Sequence, residues 1–307
     1  MSSFVKTVGA ILAALLGSAV AIAGPAVNQF EVKDLEVEQG ELEIEDQSDF
    51  SFGQPRRKFV ESDDGELEFD DNEVARQRHS LEMSFSLTNW LKLGPGIEFE
   101  EERRDDPASF AEAGRFDNLK LTEIQLEGLA VLIPVKDQGI GLGVYAELQL
   151  PTTGEARTLY LGPIIQAVSG PWSATGNFAF VKFLGGEREV DEDGDLLPRD
   201  EKWDFAYFTQ LKYEASENLA LAVEAYGTID RLGNSGNASE TTLAIGDQNQ
   251  HRVGPAAYYT FKGPAKSGAK DDDSDVGGSV TVGGGVLFGA NENTPDTTIK
   301  LGIEVEY

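Results

Sequence analysis

The C-terminal stretch Thr297–Tyr307, T-T-I-K-L-G-I-E-V-E-Y, constrains the fold more than any other part of the chain. Ile299, Leu301, Ile303, Val305 and Tyr307 fall on one face of an extended strand, and Thr298, Lys300, Gly302, Glu304 and Glu306 on the other. Roughly ten residues of such alternation is the length with which a tilted strand crosses a bilayer. A lone strand cannot do so, because its edge N–H and C=O groups find no partner in hydrocarbon. The pattern therefore predicts one stave of a closed barrel.

The start of the chain points to export. Lys6 precedes an apolar run over Val8–Val20, and Ala21-Ile22-Ala23 has the small-x-small spacing of a cleavage site. Residues 1–23 read as a secretory signal peptide cut after Ala23, with Ala26 as second choice. No other run reaches the ~18 apolar residues of a membrane helix. There is no cysteine, so neither a disulfide framework nor a thiolate metal site is available. A formal charge of −29 excludes nucleic acid as a natural partner, since the chain would repel phosphates.

Alternation recurs along the chain. It opens over 27–46, with Leu35 and Val37 on one parity and Leu42 and Ile44 on the other. The flip at Gln39-Gly40-Glu41 predicts a glycine bulge within a first strand, with Glu36, Glu38, Glu41, Glu43 and Glu45 facing away from the apolar side. Further strands are expected over 79–88, 91–100, 117–133, 139–150, 157–168, 172–184, 203–214, 219–228, 250–261, 276–289 and 297–307. That makes twelve, an even number as barrels require. With both termini periplasmic, 46–78, 185–202 and 229–249 become long extracellular loops. The turns at 89–90, 134–138, 169–171 and 215–218 become short periplasmic ones, and only 262–275 is long for its place. The expected fold is all-β: an antiparallel transmembrane barrel filling residues 24–307. A soluble sandwich has no reason to alternate loop length in this way.

Trp90, Trp172, Tyr213 and Tyr307 then fall at periplasmic strand ends, and Phe99 and Trp203 at outer ends, as interfacial girdles do. Leu93-Gly94-Pro95, Leu161-Gly162-Pro163 and Val253-Gly254-Pro255 form a repeat with proline on the apolar face. Proline has no ladder donor, so each should mark a bulge or bend, with the glycine giving room.

The inward face carries the chemistry. Glu36, Glu38, Glu82, Glu98, Glu100, Glu123, Glu127, Glu147, Glu224 and Glu304 should line the lumen, with Lys212, Arg252 and Lys300 as basic counterparts. Glu43, Glu45, Glu306 and Lys92 share that face. Such a wall serves either as plain solvation with cross-lumen ion pairs or as a cation-favouring pore. The only histidines, His79 and His251, fall near the outer rim; His79-Ser80 is the one pair a barrel hydrolase could use. No catalytic residue is assigned. Asp191, Asp193 and Asp195 have the spacing that opens a Ca²⁺ loop but lack the carboxylate at its twelfth position, where Lys202 stands. No other cofactor is expected.

A terminal strand ending on an aromatic residue resembles the assembly signal of Gram-negative outer-membrane barrels. Phe288-Gly289-Ala290-Asn291-Glu292-Asn293-Thr294-Pro295-Asp296, running into the last strand, resembles the C-terminal hairpin of proteobacterial barrels labelled as transporters or phenol meta-cleavage pathway outer-membrane proteins. The resemblance implies an outer-membrane location among lipid and lipopolysaccharide, contact with the barrel-assembly machinery through the last strand, and uptake of small, even aromatic, solutes. Two other functions fit the residues. One is a non-conducting structural or adhesive barrel with cation-binding acidic loops, and the other is a barrel hydrolase.

Overall fold

The computed structural model describes residues 30–57, 59–61, 67–69, 74–104, 109, 111–136, 138–152, 156–185, 202–232, 235, 249–263 and 278–307. The signal-peptide reading of 1–23 lies outside them. Twelve antiparallel strands close into a barrel: β1 (Leu42–Phe52), β4 (Ala75–Thr88), β5 (Leu91–Glu102), β6 (Lys120–Ile133), β7 (Gln138–Pro151), β8 (Arg157–Ser169), β9 (Trp172–Leu184), β10 (Trp203–Glu214), β11 (Leu219–Ile229), β12 (His251–Lys262), β13 (Ser279–Gly289) and β14 (Thr297–Glu306). A separate hairpin, β2 (Phe59–Glu61) with β3 (Leu67–Phe69), lies between β1 and β4.

Each strand pairs with its sequence neighbour, and β1 pairs with β14 from Glu43↔Glu306 to Phe52↔Thr297. The seam is finished at its lower end by Leu42 N–H donating to Tyr307 O (3.2 Å) and Tyr307 N–H to Leu42 O (2.9 Å). Closure leaves the twelve barrel strands without a free edge, which is what lipid demands.

Side-chain parity sets the two faces. Leu81, Met83, Phe85 and Leu87 on β4, and Leu301 and Ile303 on β14, lie on the exposed outer surface. Gln47, Asp49, Ser51, Glu98, Glu147, Gln149 and Glu224 are buried inside. An apolar exterior around a polar interior is the inverse of a soluble fold and identifies a transmembrane barrel of the outer-membrane type. The expected girdle aromatics Trp90, Trp172, Trp203, Tyr213 and Tyr307 are exposed, and Trp172 lies 4.7 Å from Tyr213 between ring centroids.

The first strand differs from expectation. It begins at Leu42 and runs on to Phe52, and β4 already starts at Ala75, so the loop read as 46–78 shrinks to 53–74. Residues 30–41 are not a stave. Gly40 adopts φ +92°, a conformation that suits glycine, and its N–H donates to Ser86 O (2.8 Å). The parity flip at 39–41 is therefore a turn rather than a bulge, and the residues before it run up inside the barrel. Glu36 and Glu38 consequently do not stand on the wall, contrary to the alternation they share with Leu35 and Val37.

The Gly-Pro repeat takes the second of its two expected forms, a bend without a bulge. At each site the ladder on one side skips two residues: Leu161↔Phe180 resumes at Ile164↔Asn177, Val253↔Phe288 at Ala256↔Gly285, and Leu93↔Phe85 at Gly96↔Glu82. The register is the same before and after each gap, so the strand bows without an inserted residue. The other side stays paired, as in Val144↔Pro163 and Val223↔Pro255. The glycine is needed because the neighbouring backbone comes close. A Cβ at Gly162 would lie 1.7 Å from Phe178 O, and one at Gly254 would lie 1.9 Å from Val286 O. Gly162→Ala and Gly254→Ala should each cost about 1–3 kcal/mol or more through forced overpacking. Urea titration of refolding in detergent reads this directly, and an unchanged midpoint for both would contradict the close approach.

Candidate functional site

The lumen is occupied from its lower end by residues 30–41. An irregular segment at membrane depth needs every backbone polar group satisfied, and side chains of the wall supply the partners. Asn177 clamps Lys33 on both sides: Lys33 N–H donates to Asn177 Oδ1 (2.8 Å), and Asn177 Nδ2 donates to Lys33 O (2.8 Å). Leu35 N–H donates to Gln166 Oε1 (2.9 Å). Phe30 O accepts from Lys300 Nζ (2.7 Å) and faces the Tyr226 hydroxyl (3.1 Å).

Apolar contacts complete the seat. Phe30 and Leu35 are buried with Leu129, Tyr145, Ile164, Phe208 and Tyr226 in one cluster inside the barrel. Leu35 fits where β7 presents Gly141 and Gly143, since a Cβ at either would lie within 2.8 and 2.5 Å of its side chain. Phe30 meets Tyr226 edge-on at 5.3 Å.

Most of the expected lumen residues face inward, and Glu82, Glu98, Glu100, Glu127, Glu224 and Lys300 among them form ion pairs. The Lys33 ammonium lies 2.7 Å from Glu31 and 3.1 Å from Glu82, and also pairs with Glu127. Arg78 bridges Glu98 (3.3 Å) and Glu100. Lys92 pairs with Glu43. Lys300 Nζ sits 2.8 Å from Glu224, 3.0 Å from Tyr226 Oη and 3.2 Å from Tyr258 Oη. Arg252 donates to Thr298 Oγ1 (3.1 Å) and lies 5.0 Å over the Phe30 ring. Glu123 stands opposite Glu98, and Glu147, beside Gln149 (2.8 Å), stands opposite Glu127.

Lys33 and Arg78 were not among the expected lumen residues. Arg78 continues the inward parity of Ser80, Glu82 and Ser84 by one step, so extending that strand would have found it. Lys33 carries no such signal, because its place depends on the segment folding back into the barrel. Among the inward groups like charges stand directly opposite at the seam, with Glu43↔Glu306 and Glu45↔Glu304, and Glu45↔Glu82 on the other flank of β1. Such pairs repel, and Lys33 and Lys92 lie where they offset that repulsion.

Beside the segment a cavity of about 420 Å³ opens toward the short-turn end, lined by Glu36, Glu43, Lys92, Lys212, Glu304 and Glu306 among others. Glu43, Glu304 and Glu306 bring carboxylate oxygens within 4.8 Å of one another there. The Ca²⁺ candidates Asp191, Asp193 and Asp195 lie outside the described residues. Glu38 is exposed at the end of the segment. Glu36 is likewise exposed, beside Asp34 and Lys212 at this mouth.

No family model and no curated protein matches this sequence. Among solved structures, an outer-membrane channel of Pseudomonas putida F1 is similar over 90% of this chain and 98% of its own, with 11% identity and a TM-score of 0.53. The NanC porin matches over 86% of this chain and 98% of its own, with 9% identity and a TM-score of 0.45. At such identities the likeness to the first is one of fold alone.

Proposed function

We propose that this barrel is an outer-membrane channel for small solutes that favours cations, held closed by residues 30–41. The observation that carries the reading is the position of Lys33. Its ammonium fills a pocket of carboxylates, Glu31, Glu82 and Glu127, where a permeating cation would otherwise be stabilised. A segment held by hydrogen bonds and one apolar seat is a removable obstruction rather than a filled core. The asymmetry of long loops and short turns, together with the exposed apolar belt, supports a reading in which the loops lie outside the cell. The Pseudomonas barrel that shares the fold is itself described as a channel. Exposed Tyr307 at the closing seam is where barrel-assembly machinery would engage.

Once residues 30–37 withdraw, the apolar cluster that seats Phe30 and Leu35 would offer a surface for an aromatic ring, which suits the solute class that the sequence resemblance implies. The test is conductance in planar bilayers under a salt gradient. A cation-sign reversal potential supports the reading, whereas protein that opens no pore with or without residues 30–37 leaves only a structural barrel. Lys33→Met should raise the cation-to-anion permeability ratio, because Glu82 and Glu127 lose their tethered counter-ion. An unchanged ratio would remove Lys33 from the mechanism.

A further inference from the structure

The outer surface of β1 and β4 interrupts the apolar belt. Asp46, Ser48 and Phe50 share the outward parity of exposed Phe52, and Gln77 and His79 share that of Leu81 and Met83. Asp46 is exposed between Leu81 and Ile303. Polar groups facing lipid are costly and stand out from a merely structural belt.

Within this streak three side chains connect. Ser48 Oγ lies 2.6 Å from His79 Nδ1, and Gln77 Nε2 lies 2.6 Å from His79 Nε2. Phe50 meets the imidazole edge-on at 5.7 Å and fixes its plane. The hydroxyl partner of His79 is thus Ser48 on the adjacent strand, whereas Ser80 faces the lumen. Turning the Gln77 amide so that Oε1 accepts Nε2–H leaves Nδ1 as the acceptor for the serine proton. That is the relation of nucleophile, base and orienting group.

We infer that Ser48, His79 and Gln77 form a lipid-facing acyl-transfer site whose substrate is the fatty-acyl ester of a membrane lipid. His79 lies four residues in from Ala75, the outer start of β4, which for a tilted strand is about 10 Å of depth, near where lipid ester carbonyls meet the hydrocarbon. Phe99, expected from the sequence at an outer strand end, is its register partner on β5. Ser48 Oγ attacks the ester carbonyl carbon while its proton passes to Nδ1. The ester C–O bond then breaks, and the departing alcohol oxygen takes that proton. Water, giving a proton to Nδ1, attacks the acyl-serine. The fatty acid leaves, and Ser48 Oγ recovers its proton.

Ser48 is paired on both edges, to His79 and to Leu301, so its own backbone offers no oxyanion hole. One oxyanion donor is worth ~10²–10³ in rate, so turnover should be slow and covalent capture is the sensitive readout.

The experiment treats the full-length barrel, reconstituted in phosphatidylethanolamine vesicles, with a long-chain fluorophosphonate and maps the adduct by mass spectrometry. Label on Ser48, absent in Ser48→Ala and at least about tenfold slower in His79→Ala, is the expected result. Gln77→Ala should shift the pH profile of labelling, which a purely structural role would not do. Wild-type labelling no greater than that of Ser48→Ala overturns the proposal, as does undiminished labelling of His79→Ala. Release of labelled fatty acid from phospholipid vesicles or from lipid A then distinguishes the lipid source. Conductance is indifferent to these substitutions, so this result and that of the channel test stand apart.

Discussion

Deleting residues 30–37 should raise the single-channel conductance several-fold and strengthen cation selectivity, while the barrel still closes. The wall strands pair only with one another, so their ladders survive without the segment. What is lost is the Asn177 clamp, the Leu35 seat and the Lys33 ammonium. The exposed row then contains Glu45, Glu82 and Glu127 without their tethered cation. Gly143→Val should reproduce much of the effect without a deletion, because a side chain there displaces Leu35, which comes within 2.5 Å of any Cβ at that position. Equal conductance of the wild type and both variants would mean that the path for ions avoids the segment altogether.

Lys300→Met should be the most destabilising single substitution inside the lumen. Lys300 and Glu224 are both buried, at 5% and 0% exposure, and the ammonium also supports Phe30 O and two tyrosine hydroxyls. Removing one member of a buried pair leaves the other uncompensated, at a cost of roughly 3–5 kcal/mol. Lys300→Met combined with Glu224→Gln should recover much of that loss, because no lone charge remains. Urea unfolding of the two single variants and the double variant reads the cycle. Strictly additive losses would contradict the pairing.

The barrel itself was legible in the sequence because lipid-facing and lumen-facing residues alternate with period two, and each strand shows this independently. Strand number, turn positions and the inward parity of Glu98, Glu147, Glu224, Arg252 and Lys300 follow from that rule alone. The segment at 30–41 was misread for a physical reason. Leu35 and Val37 alternate with acids because they pack on an apolar patch inside the lumen, which prints the same pattern as a stave packed on lipid. Ion pairing as such was expected, but which residues pair was not legible, since that depends on strand register, as for Arg78 and Glu100, or on the chain folding back into the lumen. Lys33 reaches Glu82 and Glu127 only once the chain has folded back on itself. The link between Ser48 and His79 likewise depends on which residues of β1 and β4 stand abreast, and no single strand reveals that.

The segment inside the barrel is continuous with β1, and β1 joins β14 to complete the cylinder. A cylinder already sealed would have to admit a chain threading upward against its own charged wall. It is simpler for residues 30–41 to be enveloped as the sheet curls and its two ends meet. The obstruction would then be a birthmark of assembly, present in every newly made copy before any solute arrives.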